Sequence, residues 1–379
     1  MTDFIGFLDD VYTKMEAPFE QLLDCLEEPV ACVVADTFLP WMVAIGSRRN
    51  IPVSLLWTKA PSIFSIYYHF ELLASHGHFP DQDLPERGEE IIDYLPGVSP
   101  MRLADLPSTA IGKTSTLKPV LEAFSFISRA QSILFTSFFE LQPHVIDTLR
   151  TKLPIPIYTI GPSIPYLSLV VPPSNPNPSI EEPCFVWLNS QPHSSVLFVS
   201  LGSFPSSKEQ RWEFAKGLKA SGVRYLWVVQ DEDSELQAES GKRGQVVPRC
   251  DRFRVLCHPA VVGFLTDCWW DSTMESIYAA TPMLTFPSFA DQIHNNKIIV
   301  EDLGVGVRLR KVGMDNVVGG DEIALAVENF VDLNGNAGKE VRERAKELQS
   351  KCKRAIEEGG STYTNADAFI RNFVKGIYA

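Results

Sequence analysis

RCDRFRVLCHPAVVGFLTDCWWDSTMESIYAATPMLTFPSFADQ, residues 249–292, is the stretch that decides how the chain is read. The apolar run 261–265 predicts a buried strand and residues 272–280 predict the helix after it, so 266–271 form a strand-to-helix turn. Such a turn leaves backbone N–H groups unpaired and presents the positive end of a helix dipole, a setting suited to an anion. Asp271 stands where an N-cap belongs, and Ser272 with Glu275 has the S-x-x-E spacing of a capping box. The helix is therefore expected to start there whether or not anything binds.

Working upstream, SSVLFVSLGS (194–203) is an apolar run of strand-forming residues ending in small ones, a loop that fits close approach to a ligand beyond a strand end. Ser207 and Gln210 repeat the capping spacing and open a helix through Trp212, Phe214 and Leu218, whose two aromatics are read as core, toward a strand at 225–229. Further strands are expected near Val196, Val261, Met283 and Val305. The first 161 residues alternate in the same way: an opening helical pattern, the strand VACVVADTF (30–38), strands at 53–57 and 132–137, and a helix over 62–73. Strands alternating with helices imply parallel sheets. Residues 162–183 are dense in Pro and Ser and read as a linker between units 1–161 and 184–345. Helices at 337–358 and 366–378 close the chain, with 346–379 as a tail.

With 379 residues, 45% hydrophobic and 21% charged, the chain has room for two ordinary globular domains. A net charge of -13 without a Lys/Arg block argues against a nucleic-acid partner, which needs clustered cations. Neither a signal peptide nor an apolar run of membrane-spanning length is visible. The only Asn-x-Ser/Thr triplet is disqualified by its proline at 178. The seven cysteines form no C-x-x-C pair, which fits a reduced, cytoplasmic protein. Cys257, His258 and Cys268 lack paired-ligand spacing, so no metal site is expected.

The quoted stretch resembles the C-terminal signature box of plant UDP-glycosyltransferases, W-x-x-Q…V-G-G-F-x-T-H-C-G-W-N-S-x-x-E…P…D-Q, and the resemblance extends over essentially the whole chain. It implies a GT-B fold, two facing Rossmann-like domains with the ligand between them, the second being the donor domain and the tail helix crossing back onto the first. It further implies a UDP-sugar co-substrate, no other cofactor, and transfer of a hexose, glucose by expectation, to a hydroxyl of a small plant metabolite. By resemblance, Gly202, Ser203 and Ser272 would face the diphosphate, Glu275 the ribose, and Asp291 with Gln292 the sugar hydroxyls. Arg249 and Arg252 would lie on the donor side, and Asp36 would be the acid that orients a catalytic histidine.

The chain departs from the pattern where it would touch phosphate. Asp267 replaces the family's His, Trp269 its Gly, Asp271 its Asn, and Arg249 its Trp. One like-charge pair at ~4 Å and an effective dielectric of about 20 costs about 4 kcal/mol, so two carboxylates there are expected to impair donor binding. The alternative is a rearranged turn that still admits the donor. The histidine base has no counterpart among His69, His76, His78, His144, His193, His258 and His294. About eighty residues that open the family's first domain are expected to be missing, which would leave an unpaired strand edge and a poorly stable or sticky first half. Two functions stand: an impaired glycosyltransferase, or a non-catalytic relative acting as a binding scaffold. Tyr67, Tyr68 and Phe70 line an acceptor pocket or belong to the core.

Overall fold

A computed structural model describes residues 4–79, 84–111, 114–165, 182–202, 207–229, 243–310, 317–332 and 336–377. The strands run in chain order as β1 (Val33–Asp36), β2 (Val53–Trp57), β3 (Ile91–Ile92), β4 (Met101–Arg102), β5 (Ser132–Phe135) and β6 (Ile157–Thr159). They continue as β7 (Val196–Ser200), β8 (Arg224–Val228), β9 (Gly244–Val247), β10 (Val261–Thr266), β11 (Met283–Thr285) and β12 (Gly306–Arg308).

Two parallel sheets result. The first has the order β1-β2-β5-β6 and the second β12-β11-β10-β7-β8-β9, while β3 and β4 form a small antiparallel pair. Near-continuous apolar strands such as VLFVS and SILF are the composition of sheets covered on both faces. In the second sheet β7 lies between β8 and β10, and the chain winds outward in both directions from that pair. The carboxyl ends of β7 and β10 therefore border the crevice where open α/β sheets bind ligands.

The first sheet's core is aromatic. Trp57 meets Phe64 and Phe124 edge-on with centroids 5.2 and 5.7 Å apart. Tyr67 is buried among these rings, Phe70 is buried against Phe79, and the partly buried Tyr68 stacks on Phe64 while its hydroxyl donates to the Lys152 carbonyl. β1 pairs with β2 on one side only, and its Val34 is 46% exposed. Helix Glu16–Cys25 is fastened to helix Pro40–Arg49 by ion pairs from Arg48 and Arg49 to Glu16, Glu20 and Asp24.

Several elements differ from expectation. The helix over 62–73 is two, Pro61–Tyr68 and Phe70–Ser75, with His69 outside the helical region at ψ 26°. The final helix begins at Ser361, because Gly359 at φ 83° ends the helix Asn336–Ile356 and lets the next one start at once. Phe214 is buried as expected, and so is Leu218 beside it, but Trp212 is 36% exposed. Residues 166–181 of the proposed linker lie outside the described residues.

The second sheet's units are joined to the first by polar contacts. His294 Nδ1–H donates to the Asp105 carbonyl at 3.2 Å, which leaves Nε2 to accept from the Ser62 hydroxyl at 2.9 Å. Burial, aided by nearby Lys297, pushes the His294 imidazole down to about 4, so it stays neutral. Ser108 and Ala290 exchange two bonds, at 2.7 and 3.1 Å. The final helix Ser361–Ile377 packs on β6, where Phe369 meets Tyr158 at 5.7 Å and Asn372 donates to the Tyr158 hydroxyl at 2.8 Å.

Candidate functional site

β10 ends at Thr266, and the next three residues reach the helix Trp270–Ala279 through a left-handed residue, Cys268 at φ 70°. A non-glycine residue in that region is strained by about 1–2 kcal/mol, and it is held because Cys268 N–H donates to Thr266 Oγ1 at 3.1 Å and the side chain is fully buried. The kink lets Asp267 and Trp269 both face the loop after β7. There Gly202 has φ 70°, and a Cβ on it would collide with Asp267 Oδ2 and lie 3.4 Å from Trp269 Nε1. Gly202 is therefore required by its backbone and by what packs on it. Ser203 lies outside the described residues.

Asp267 is 5% exposed. Its carboxylate accepts the backbone N–H of Trp269, the N-cap of the helix, and Oδ2 accepts Gln292 Nε2 at 3.1 Å. A side-chain carboxylate of the chain itself thus occupies the anion position at this helix terminus. Burial raises its pKa to about 7, outweighing the Trp269 amide, which lowers it.

The expected capping box does not form. Trp269 is the N-cap with no side-chain cap bond, and Asp271 sits inside the first turn. Ser272 Oγ donates back to the Trp269 carbonyl at 2.9 Å. Both acids are claimed by Arg252, which bonds Glu275 at 2.6 and 3.0 Å and Asp271 at 2.7 Å. A guanidinium fork satisfies two carboxylates better than a cap satisfies one, and it turns Asp271 out to the surface. Arg249, three residues earlier, is exposed. Upstream, Ser207 does cap its helix by accepting Gln210 N–H at 3.2 Å, whereas the Gln210 side chain bonds Val318 at both ends.

At the other end of the crevice Asp291 is 3% exposed. Oδ1 faces Lys59 Nζ at 3.0 Å and Oδ2 accepts Asn295 Nδ2 at 3.2 Å. Gln292 spends its carbonyl on the amides of Ser288 (2.8 Å) and Phe289 (3.2 Å), and its NH2 on Asp267. Lys59, which follows β2, also stands 5.6 Å over the Trp269 ring, itself edge-on to Phe289. Lys59 carries no motif in the sequence, and its partner lies 232 positions away.

Asp36 closes β1 and is exposed, with Oδ1 accepting the Phe38 amide at 2.8 Å. His69, His76, His78, His258 and His294 are engaged by Ser65, Leu72, Tyr94, Asn189 and Ser62 respectively. Among the described residues no group of three or more His, Cys, Asp or Glu is placed to hold a metal ion, and no helix is long and apolar enough to cross a membrane.

Residues 166–333 match the family described as UDP-glucoronosyl and UDP-glucosyl transferase. Over 98% of its length the chain is 45% identical to UDP-glycosyltransferase 87A2 of Arabidopsis thaliana, covering 81% of that protein. UDP-glycosyltransferase 87A1 of the same plant is 42% identical, with 98% and 84% covered. Among solved structures, UGT2 of Phytolacca americana, complexed with UDP-2fluoro-glucose and pterostilbene, is 28% identical with a TM-score of 0.81, over 96% of this chain and 79% of that one. The two parallel sheets are thus those of the GT-B fold.

Proposed function

Since this chain belongs to the UDP-glycosyltransferase family, we propose that it is a UDP-hexose-dependent glycosyltransferase in construction whose transfer step is impaired. The donor and acceptor held by the Phytolacca protein support UDP-glucose and a small hydroxylated molecule as the substrates. On this reading residues 184–345 form the donor domain and residues 1–161 the acceptor side. The diphosphate would lie between Gly202 and the start of the helix Trp270–Ala279, the ribose at Glu275, and the hexose at Asp291 and Gln292.

One observation carries the impairment. The Asp267 carboxylate already takes the Trp269 amide at the helix terminus, so a diphosphate must displace it and then sit beside it. Facing the diphosphate as a like charge at ~4 Å would cost about 4 kcal/mol, but with a pKa of about 7 the acid can take up a proton instead, which at pH 8 caps the penalty at about 1.4 kcal/mol, or roughly tenfold in affinity, beyond the loss of the Trp269 amide. Arg252 does not offset this, because Glu275 and Asp271 already hold it.

The test is calorimetric titration of the folded chain and of Asp267→Asn with UDP and UDP-glucose at pH 8. The expected result is UDP binding at least about tenfold weaker in the natural chain than in the variant. Equal UDP affinity in the two chains would show that the turn accommodates the donor and that the impairment argument is wrong.

A second reading, a non-catalytic relative that keeps the scaffold, is favoured by Asp36. Its Oδ1 accepts the Phe38 amide, and among the described residues no histidine is bonded to the carboxylate, whereas an acceptor hydroxyl needs a base that this acid would orient. Donor binding by Asp267→Asn without any glucose transfer across a panel of phenols and alcohols would support it.

A further inference from the structure

Among the described residues, Lys59 is the one contact between the two halves that lies directly on a residue read above as facing the hexose. Its ammonium is 3.0 Å from Asp291 Oδ1, and the Asp291 side chain is 4% exposed. A nearly buried carboxylate needs a counter-charge, and removing a partner leaves an unpaired charge. Asp291 cannot easily retreat from the lysine. The residue before it, Ala290, is bound through its amide and carbonyl to Ser108, and Asn295 holds the other carboxylate oxygen. The movable part is the four-carbon stem of Lys59, which is 26% exposed.

A hexose hydroxyl is neutral. To reach Asp291 it must trade an ion pair for an O–H···O bond, and Gln292 beside it has both ends of its amide engaged by Ser288, Phe289 and Asp267. We propose that Lys59 keeps the hexose subsite shut, so that the chain recognises a nucleoside diphosphate equally with or without its sugar. The inference rests on Asp291 and Gln292 being the hexose-facing pair, and it makes Lys59 a specificity-determining residue contributed by the opposite half of the molecule.

The experiment compares UDP with UDP-glucose by calorimetry, in the Asp267→Asn background so that the diphosphate binds. Asp267→Asn alone is expected to bind the two within about twofold. Adding Lys59→Ala should give a preference for UDP-glucose of about tenfold or more, the worth of one hydrogen bond to a charged group. Adding Lys59→Arg should restore equality, which a general loosening of the structure would not do. Lys59→Met keeps the stem against Trp269 and replaces the alanine variant if that proves too unstable to purify. A tenfold preference with Lys59 in place, or an unchanged ratio without it, overturns the inference. If none of the folded variants binds UDP, the donor-site reading fails, and this inference with it.

Discussion

Replacing Asp267 by asparagine should make the protein more stable at neutral and alkaline pH, by an amount the structure fixes. The buried carboxyl titrates at about 7, against 3.8 for an ordinary aspartate. Between those values the folded chain holds a proton that the unfolded chain has released, so stability falls as pH rises through the window and the contribution is gone above pH 7. At about 1.4 kcal/mol per pH unit the whole window is worth about 4 kcal/mol, of which about 3 kcal/mol falls above pH 5. Asparagine has the shape of the protonated acid and does not titrate. The variant should therefore lead by about 1.6 kcal/mol at pH 5 and by about 4 kcal/mol at pH 8, the two proteins meeting only below about pH 4. Urea unfolding of both proteins at pH 5, 6, 7 and 8, followed by near-ultraviolet circular dichroism, measures the gap. Other titrating groups, His294 among them, are common to both chains and cancel. A gap that does not change with pH, or a natural chain that is the more stable at pH 8, would refute the assignment of a buried, proton-holding Asp267.

Three other perturbations probe the site's supports. Gly202→Ala forces an L side chain into φ 70° and onto Asp267. It should cost about 1–3 kcal/mol, and a double-mutant cycle with Asp267→Ala should recover the part due to collision but not the part due to backbone. Arg252→Ala strands Glu275, whose side chain is 9% exposed. A loss of about 2–3 kcal/mol in urea unfolding is expected, and Glu275→Gln in the same chain should recover most of it. His294 is neutral when folded, with its pKa pushed from 6.5 to about 4, so stability should fall by up to about 3 kcal/mol as pH drops through that window. His294→Gln should abolish that slope, as read by thermal melts from pH 7 to pH 4.

The strands were legible wherever burial on both faces produced an unbroken apolar run. Val53–Trp57 appears as read, and β7, β8 and β10 lie within a residue of their expected bounds at most ends. β9, with the sequence GQVV, was not anticipated, because it is short, opens on glycine and owes its pairing to β8 alone. The turn after β10 was placed correctly, but its local chemistry was not. Capping rules rank Asp271 first, and they weigh only neighbours in sequence, whereas Arg252 reaches across 19 positions to claim it. Lys59 shows the limit more sharply. A lone lysine after a strand is ordinary, and only the fold brings it to Asp291.

The final helix gives the chain an unusual schedule. β6, made by residue 159, is covered by side chains from 369 and 372. On a ribosome adding about 5–20 residues per second, the half made first would wait roughly 10–40 s for its last piece. During that interval Tyr158, only 8% exposed in the finished molecule, faces water or a chaperone. The first sheet is therefore completed only after the second has been made, and loss of the helix Ser361–Ile377 would unsettle strands translated long before it.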